Sequence, residues 1–208
     1  ADGMGGWADV LEFDAEQGRI VLKWNTRCQE LGVVPGQLAL NEWISPGAKK
    51  TALVDLGTAI NESTAPDSAQ TAILEAAAPR FTGAGPTGGV FTDDVGDVMR
   101  WVIDLDRSCV PIQGPPGTGK TWMGAHIAMA LVKAGKRVGI TAMSHSAIDN
   151  MLREVLDVFT ADGCVDQLRV ARAGAKDSTP EHAAIHQVDN KEAAASEFNV
   201  VAGTTWAF

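Results

Sequence analysis

The second half of the chain alternates between two hydrophobic patterns, one typical of strands and one typical of helices. Short apolar runs predict four strands, at residues 109–113, 137–142, 168–172 and 199–202. Helical spacing predicts helices between them, starting directly after residue 119, at 146–159 and at 180–198. Strands that alternate with helices indicate an α/β fold, in which a parallel sheet has helices on its faces.

The first half of the chain predicts shorter elements. Two strand-like runs, 10–14 and 19–24, are separated by four residues that end in a glycine, which indicates a β-hairpin. Helical spacing recurs at 49–60 and at 67–78, where Asp67 after Pro66 is predicted to open the helix. A further helix is predicted to begin after Thr92 as its N-cap. This half therefore resembles a small accessory region rather than part of the sheet.

A glycine- and proline-rich stretch at 83–89 predicts a linker between the two halves. We therefore expect three regions along the chain. They are a small β-rich accessory segment with short helices at 1–48, a helical connector with the linker at 49–91, and the N-terminal part of the α/β domain at 92–208.

The stretch after the first strand of this domain matches the phosphate-binding P-loop pattern G-x-x-x-x-G-K-[ST] without a mismatch. Its glycines let successive backbone N–H groups point at anionic oxygens, and the following helix adds the positive end of its dipole. Lys120 can reach the β- and γ-phosphates, and the Thr121 hydroxyl can bind Mg²⁺. We therefore predict a RecA-like P-loop NTPase fold that binds a nucleoside triphosphate through Gly114, Pro115, Pro116, Gly117, Thr118, Gly119, Lys120 and Thr121.

A second candidate site lies in the turn at 141–150, where the second strand of the domain ends and the next helix starts. Ser144 and His145 beside a helix N-terminus are suited to a backbone phosphate of nucleic acid. They are equally consistent with a turn in which Ser146 and Asp149 form a capping box for the helix. The sequence leaves these two interpretations open.

Composition and charge limit the possible partners. The chain has 208 residues and a formal net charge of −9, so nucleic acid cannot be held by whole-surface electrostatics and any such site must be local. Three scattered cysteines without a C-x-x-C pattern argue against a disulfide framework or a zinc ribbon. No apolar run approaches the ~18 residues of a membrane span. We expect a cytoplasmic protein without a membrane partner.

Together, four stretches of the α/β domain resemble superfamily-one helicases, in the branch of the nonsense-mediated-decay helicase and the replication nuclease-helicase. They are 112–121, 141–150, 168–174 and 200–205. Bacterial fusions of a RecB-like nuclease to such a helicase are the most similar. The resemblance implies an ATP-dependent helicase that uses ATP and Mg²⁺ and moves on single-stranded nucleic acid, DNA more than RNA. It also implies a possible nuclease domain nearer the N-terminus of the full-length protein. The residues that it places on the strand backbone are Ser144, His145, Thr204 and Thr205.

The sequence departs from this family in two places. The glutamine that usually precedes the P-loop strand and reads adenine is missing between Gln70 and Gln113. No apolar strand ending in Asp-Glu follows Lys120, so we expect a fragment that stops before the Walker B motif, binds nucleotide and barely hydrolyses it. The alternatives are a protein-remodelling ATPase of the AAA+ class and a non-catalytic nucleotide-binding scaffold. For Thr204 and Thr205, spacing alone favours an ordinary strand-ending turn.

Two weaker signals are interpreted structurally. His182 and His186 are four residues apart in a predicted helix and could share a metal, but an exposed polar helix face is the better explanation because a third ligand is not evident. Trp122, Met123 and Met129 near the P-loop are predicted to be core residues rather than a platform for stacking bases.

Overall fold

The computed structural model describes residues 8–24, 26–32, 47–174, 178–189, 192–193 and 195–205. The chain divides into two compact units, Ala1–Lys50 and Thr51–Phe208. In the first unit, strands β1 (Ala8–Asp14) and β2 (Arg19–Trp24) pair antiparallel and are followed by helix α1 (Thr26–Leu31). The predicted β-hairpin is confirmed.

In the described residues three further α-helices lie between α1 and the P-loop, and their starts differ from those expected. They are α2 (Gly47–Asn61), α3 (Ala69–Leu74) and α4 (Val95–Val102). Ser68, not Asp67, caps α3, because its hydroxyl accepts the Thr71 amide at 3.2 Å. Asp94, not Thr92, caps α4, because its carboxylate accepts the Asp97 amide at 2.7 Å. The predicted caps are therefore wrong by one and two residues.

The stretch at 83–89 packs against α4. The Thr87 hydroxyl donates to the Asp97 carboxylate, and Arg100 donates to the carbonyl oxygen of Gly85 at 3.3 Å. The rings of Phe81 and Trp101 meet edge to face, with centroids 5.7 Å apart. These contacts order the loop on the helix that packs beside the P-loop helix.

The larger unit is built on a parallel sheet of four strands. The P-loop helix α5 (Lys120–Lys133) leads to β3 (Val138–Ala142), helix α6 (His145–Ala161), β4 (Val170–Ala173), β5 (Ile185–Val188) and β6 (Val200–Thr204). The strand order is β3-β6-β4-β5, and every neighbouring pair is parallel. The predicted fold class, an α/β P-loop domain with a parallel sheet preceded by a small β segment, is confirmed.

The two central strands of the sheet, β4 and β6, are buried on both faces, which explains their nearly continuous apolar sequences. Val170 and Val200 join α5 and α6 in one core on the first face. Ala171, Val201 and Phe198 form a second core on the opposite face. Side chains of alternate residues along β4 therefore point to different cores.

Two predicted elements are wrong. Residues 109–113 form no strand, and Pro111 among them has no N–H to donate to a ladder. Residues 180–198 form no helix among those described, since β5 pairs with β4 there instead. Alanine-rich composition favours a helix locally, but pairing and burial against the sheet outweigh that preference.

Candidate nucleotide and nucleic-acid site

The P-loop residues form a tight turn that ends in a helix without a side-chain cap. Gly117 and Gly119 have φ values of 83° and 78°, a left-handed conformation that favours glycine. Gly119 is the N-cap of α5, and no side chain accepts a hydrogen bond from the first turn of that helix. Its amides are therefore open to an anionic ligand, as the P-loop pattern predicts.

Lys120 is held inside this loop by backbone carbonyl groups. Its Nζ donates to the oxygens of Gly114 at 2.5 Å and Pro115 at 2.7 Å, while the Thr118 hydroxyl donates to the Pro115 oxygen at 2.9 Å. A β-carbon at position 114 would lie 2.5 Å from the Thr118 hydroxyl oxygen, so this close turn needs glycine. The ammonium group is exposed and can exchange these carbonyls for phosphate oxygens, which fits a triphosphate.

A cavity of about 570 Å³ lies beside the P-loop helix. Lys120 and Thr121 line one part of it, and Thr141, Ala142 and Ala147 line another. The last three residues belong to the end of β3 and the start of α6. The structure therefore brings the P-loop to the same cavity as the strand that leads into the turn with Ser144 and His145.

Ser144 is the N-cap of α6. Its hydroxyl oxygen accepts the Ala147 amide at 3.2 Å and lies 3.2 Å from the hydroxyl of Ser146. The predicted capping box of Ser146 and Asp149 is wrong, because the N-cap is Ser144, two residues earlier, and Asp149 is fully buried. Ser144 is exposed, so the same hydroxyl remains accessible at the surface.

A buried ion pair lies beneath this turn. Arg172 on β4 and Asp149 on α6 are both 0% exposed, and Arg172 Nε donates to Asp149 Oδ1 at 2.8 Å. Ser178 and Thr179 donate to the same carboxylate at 2.6 and 3.2 Å. Burial raises the pKa of Asp149, but these hydrogen bonds and the arginine charge outweigh it and hold the pKa below its ordinary value.

The ion pair is connected to the predicted strand-binding turn. Arg172 Nη2 lies 3.1 Å from Nδ1 of His145, the first residue of α6. Sequence reasoning missed both members of the pair. The available signals were an arginine inside an apolar strand and an aspartate next to Ile148 on a helix that also buries Leu152.

Thr204 and Thr205 lie at the same edge of the sheet. Thr204 is the last residue of β6 and is paired with Ala142 at the end of β3, and both threonines are half-buried. Because carboxyl ends of parallel strands share one edge, the turns after β3 and β6 are neighbours there. Contact of Ser144, His145, Thr204 and Thr205 with a nucleic-acid strand stays a prediction.

The weaker signals have mixed outcomes. Met123 and Met129 are buried as predicted. Trp122 is 43% exposed, so its assignment to the core is wrong. Its ring centroid lies 4.1 Å from that of His126. His182 and His186 are not on one helix, since His186 belongs to β5. In the part of the chain that the structure describes, no three metal-binding side chains cluster, and no helix is long and apolar enough to cross a membrane.

Comparison with known proteins supports a helicase-type domain. Residues 102–204, just under half of the chain, match the family model of an AAA domain of the superfamily-one helicase type. The "DNA replication ATP-dependent helicase/nuclease DNA2" of Saccharomyces cerevisiae is 56% identical over 41 residues, which are 20% of this chain and 3% of the yeast protein. No solved structure matches the chain. The findings support a P-loop domain of the ATP-dependent helicase type over this limited part of the sequence.

Proposed function

We propose that residues 102–204 are the ATP-binding part of a helicase or translocase motor that moves on single-stranded nucleic acid, DNA more than RNA. The observation that supports this most is the shared cavity of the P-loop and β3. Lys120 and Thr121 line it together with Thr141 and Ala142, and the next residues along the chain lead into Ser144. A nucleotide bound at the P-loop and a nucleic-acid strand bound at Ser144 would therefore both lie next to the short segment that joins β3 to α6.

Within this proposal the P-loop residues bind the triphosphate. The uncapped amides at the start of α5 and the Lys120 ammonium would face phosphate oxygens, and the Thr121 hydroxyl would be a ligand of Mg²⁺. Bound ATP would supply the free energy of phosphoanhydride hydrolysis for movement along the strand. The name of the yeast relative includes a nuclease, and we extend the proposal to a nuclease domain elsewhere in the full-length protein.

The strand would be gripped through its backbone at the carboxyl edge of the sheet. Hydroxyl, imidazole and amide groups are offered there by Ser144, His145, Thr204 and Thr205. All of these groups can bind phosphate oxygens without contacting the edge of a base. Backbone contacts suit a motor, which must move independently of sequence. With a net charge of −9, binding should have a shallow salt dependence, with a slope of roughly −0.7 per phosphate contacted.

Calorimetry on the 208-residue chain tests the nucleotide site. Lys120→Ala should weaken ATP binding about 10- to 100-fold, the range for a lost hydrogen bond to a charged group, and weaken AMP binding much less. Lys133→Ala, at the other end of α5, is the matched control because it removes the same charge away from the loop. Equal losses for ATP and AMP would contradict the role assigned to Lys120.

Two substitutions of Ser144 test the strand site. Ser144→Asp keeps an N-cap for α6 but places a carboxylate against the proposed phosphates, so affinity for a labelled oligonucleotide should fall while the melting temperature holds. Ser144→Ala removes the cap and should cost about 1 kcal/mol of stability with a smaller change in affinity. Fluorescence anisotropy and thermal melts separate the two effects. Unchanged affinity in a folded Ser144→Asp protein would refute the strand site, and ATP binding without any strand binding would favour a protein-remodelling ATPase.

A further inference from the structure

A fully buried arginine lies directly beneath the turn that is proposed to grip the strand. Arg172 is the largest side chain that is fully buried among the described residues. A guanidinium group is taken out of water at high cost unless its donors find partners. Here Nε donates to Asp149 at 2.8 Å, Nη1 to the carbonyl of Ala173 at 2.5 Å, and Nη2 contacts His145.

The contact with His145 determines which imidazole nitrogen has the hydrogen. An arginine side chain has donors and no acceptor, and it does not lose its proton in proteins. In the 3.1 Å contact, Nη2 of Arg172 must therefore donate, and Nδ1 of His145 must accept. A neutral imidazole that accepts at Nδ1 has its one hydrogen on Nε2.

The opposite side of the arginine is held in place as well. Asp149 accepts hydrogen bonds from Arg172, Ser178 and Thr179, and its position four residues after His145 puts both on the same face of α6. The guanidinium group is thus fixed between a carboxylate and an imidazole that belong to one helix. Its orientation leaves little freedom to the His145 ring.

The contacts of the His145 ring with described residues do not use Nε2. The ring lies against the end of β4, where a β-carbon at Gly174 would be 3.3 Å from Cε1 of His145. His145 is half-buried, and no residue in the described ranges forms a hydrogen bond with its Nε2. An N–H group at the start of a helix, at the carboxyl edge of the sheet, is a suitable donor to a phosphate oxygen.

We propose that Arg172 is a positioning residue that holds His145 as the Nε2–H tautomer, so that His145 donates one hydrogen bond to a phosphate oxygen of the bound strand. The proposal deepens the proposed function and depends on it for the identity of the partner. Loss of a hydrogen bond to a charged group predicts a fall in strand affinity of about 10- to 100-fold.

Nitrogen NMR of the chain labelled at its four histidines tests the tautomer without any strand. At about pH 8, where imidazole groups are ordinarily neutral, His145 should show a protonated Nε2 and an unprotonated Nδ1. Loss of signals in His145→Asn assigns them. In Arg172→Lys the two nitrogens should move toward the average of both tautomers, because one ammonium cannot reproduce the planar fork. A protonated Nδ1 in the unaltered chain would overturn the proposal.

Strand affinity, measured by anisotropy, tests what the tautomer does. His145→Leu and Arg172→Lys should each weaken binding about tenfold or more, whereas His145→Asn should stay within about threefold because an amide also has an acceptor and a donor. Arg169→Lys, the same change at an exposed arginine three residues earlier, is the matched control and should have little effect. In the His145→Leu background, Arg172→Lys should cause no further loss, since its effect acts through the imidazole.

A purely structural arginine would behave differently. Its replacement would weaken strand binding equally in both backgrounds, and that result would overturn the positioning role. An unaltered chain that binds no oligonucleotide would instead refute the proposed function, and with it the donor role of His145, while the NMR result still shows whether Arg172 sets the tautomer. The two failures are therefore distinguishable.

Discussion

Replacing Asp149 with alanine should destabilise the larger unit more than any surface charge change. Asp149 and Arg172 are both 0% exposed, so the substitution leaves a guanidinium group buried without its carboxylate. The hydroxyls of Ser178 and Thr179 lose the same acceptor. Breaking a buried ion pair from one side costs about 3–5 kcal/mol. For a unit of this size that loss corresponds to a fall in melting temperature of roughly 6–20 °C.

A double replacement separates the ion pair from simple packing. Asp149→Leu combined with Arg172→Met removes both charges and fills similar volume, so stability should return to within about 2 kcal/mol of the unaltered chain or exceed it. The two single changes should thus be strongly non-additive. Lys133→Gln is the surface control, because the Lys133–Asp162 pair is 38% exposed on each side and should contribute little.

Urea denaturation followed by circular dichroism at the helix band measures these differences. Most of the helical residues that the structure describes belong to the larger unit, so the signal reports on it. If Asp149→Ala unfolds at the same urea concentration as the unaltered chain, the carboxylate is not the partner that keeps Arg172 stable in the interior. If the double replacement is less stable than either single one, packing rather than charge accounts for the loss.

Two further predictions follow from ionisation. The pKa of Asp149 is lower in the folded than in the unfolded chain. The contribution of its carboxylate to stability is therefore complete above about pH 4 and is lost as the pH falls through the folded-state pKa. Acid unfolding should accordingly be less steep in the double Asp149→Leu, Arg172→Met variant. Burial, together with a hydrogen bond to Asp162, raises the pKa of the Cys164 thiol, and Cys164 is 4% exposed. Mass spectrometry should therefore find this thiol alkylated only after unfolding. Rapid alkylation of the native protein at neutral pH would contradict its burial.

The parts of the fold that depend on local sequence were predictable. The P-loop is a contiguous stretch whose glycine conformations and following helix result from neighbouring residues, and α5 begins at Lys120 as the pattern requires. Strands β3, β4 and β6 lie within two residues of the predicted runs. For β4 and β6 a nearly continuous apolar sequence is sufficient, because both faces of these central strands are covered, whereas β3 alternates between half-buried and exposed residues.

The errors have a common physical origin in contacts that are distant along the chain. Strand β5 lies in a stretch whose composition favours a helix, yet pairing with β4 and burial of Ala184 against the sheet decide its conformation. The start of α6 depends on where β3 ends, and two nearby serines each satisfy the local capping pattern. Local propensity cannot decide between two such conformations when the free energies of their tertiary contacts differ by more than the difference in propensity.

The same distinction divides the candidate site into two parts of different origin. The proposed nucleotide side is encoded within eight consecutive residues, so a motif is enough to predict it. The proposed strand side combines Ser144 and His145 with Arg172, which contacts the His145 ring and lies 23 residues beyond Asp149. An aspartate and an arginine in apolar segments look unfavourable when each is considered alone, because either charge would be costly to bury. They become compatible only as a pair, and the parallel pairing that places β4 beside β6, and β6 beside β3, brings the end of β4 close to the start of α6. The contact between Arg172 and His145 exists only when the sheet has formed. The proposed orientation of His145 for a phosphate is therefore a property of the folded domain and not of the sequence at 141–150 alone.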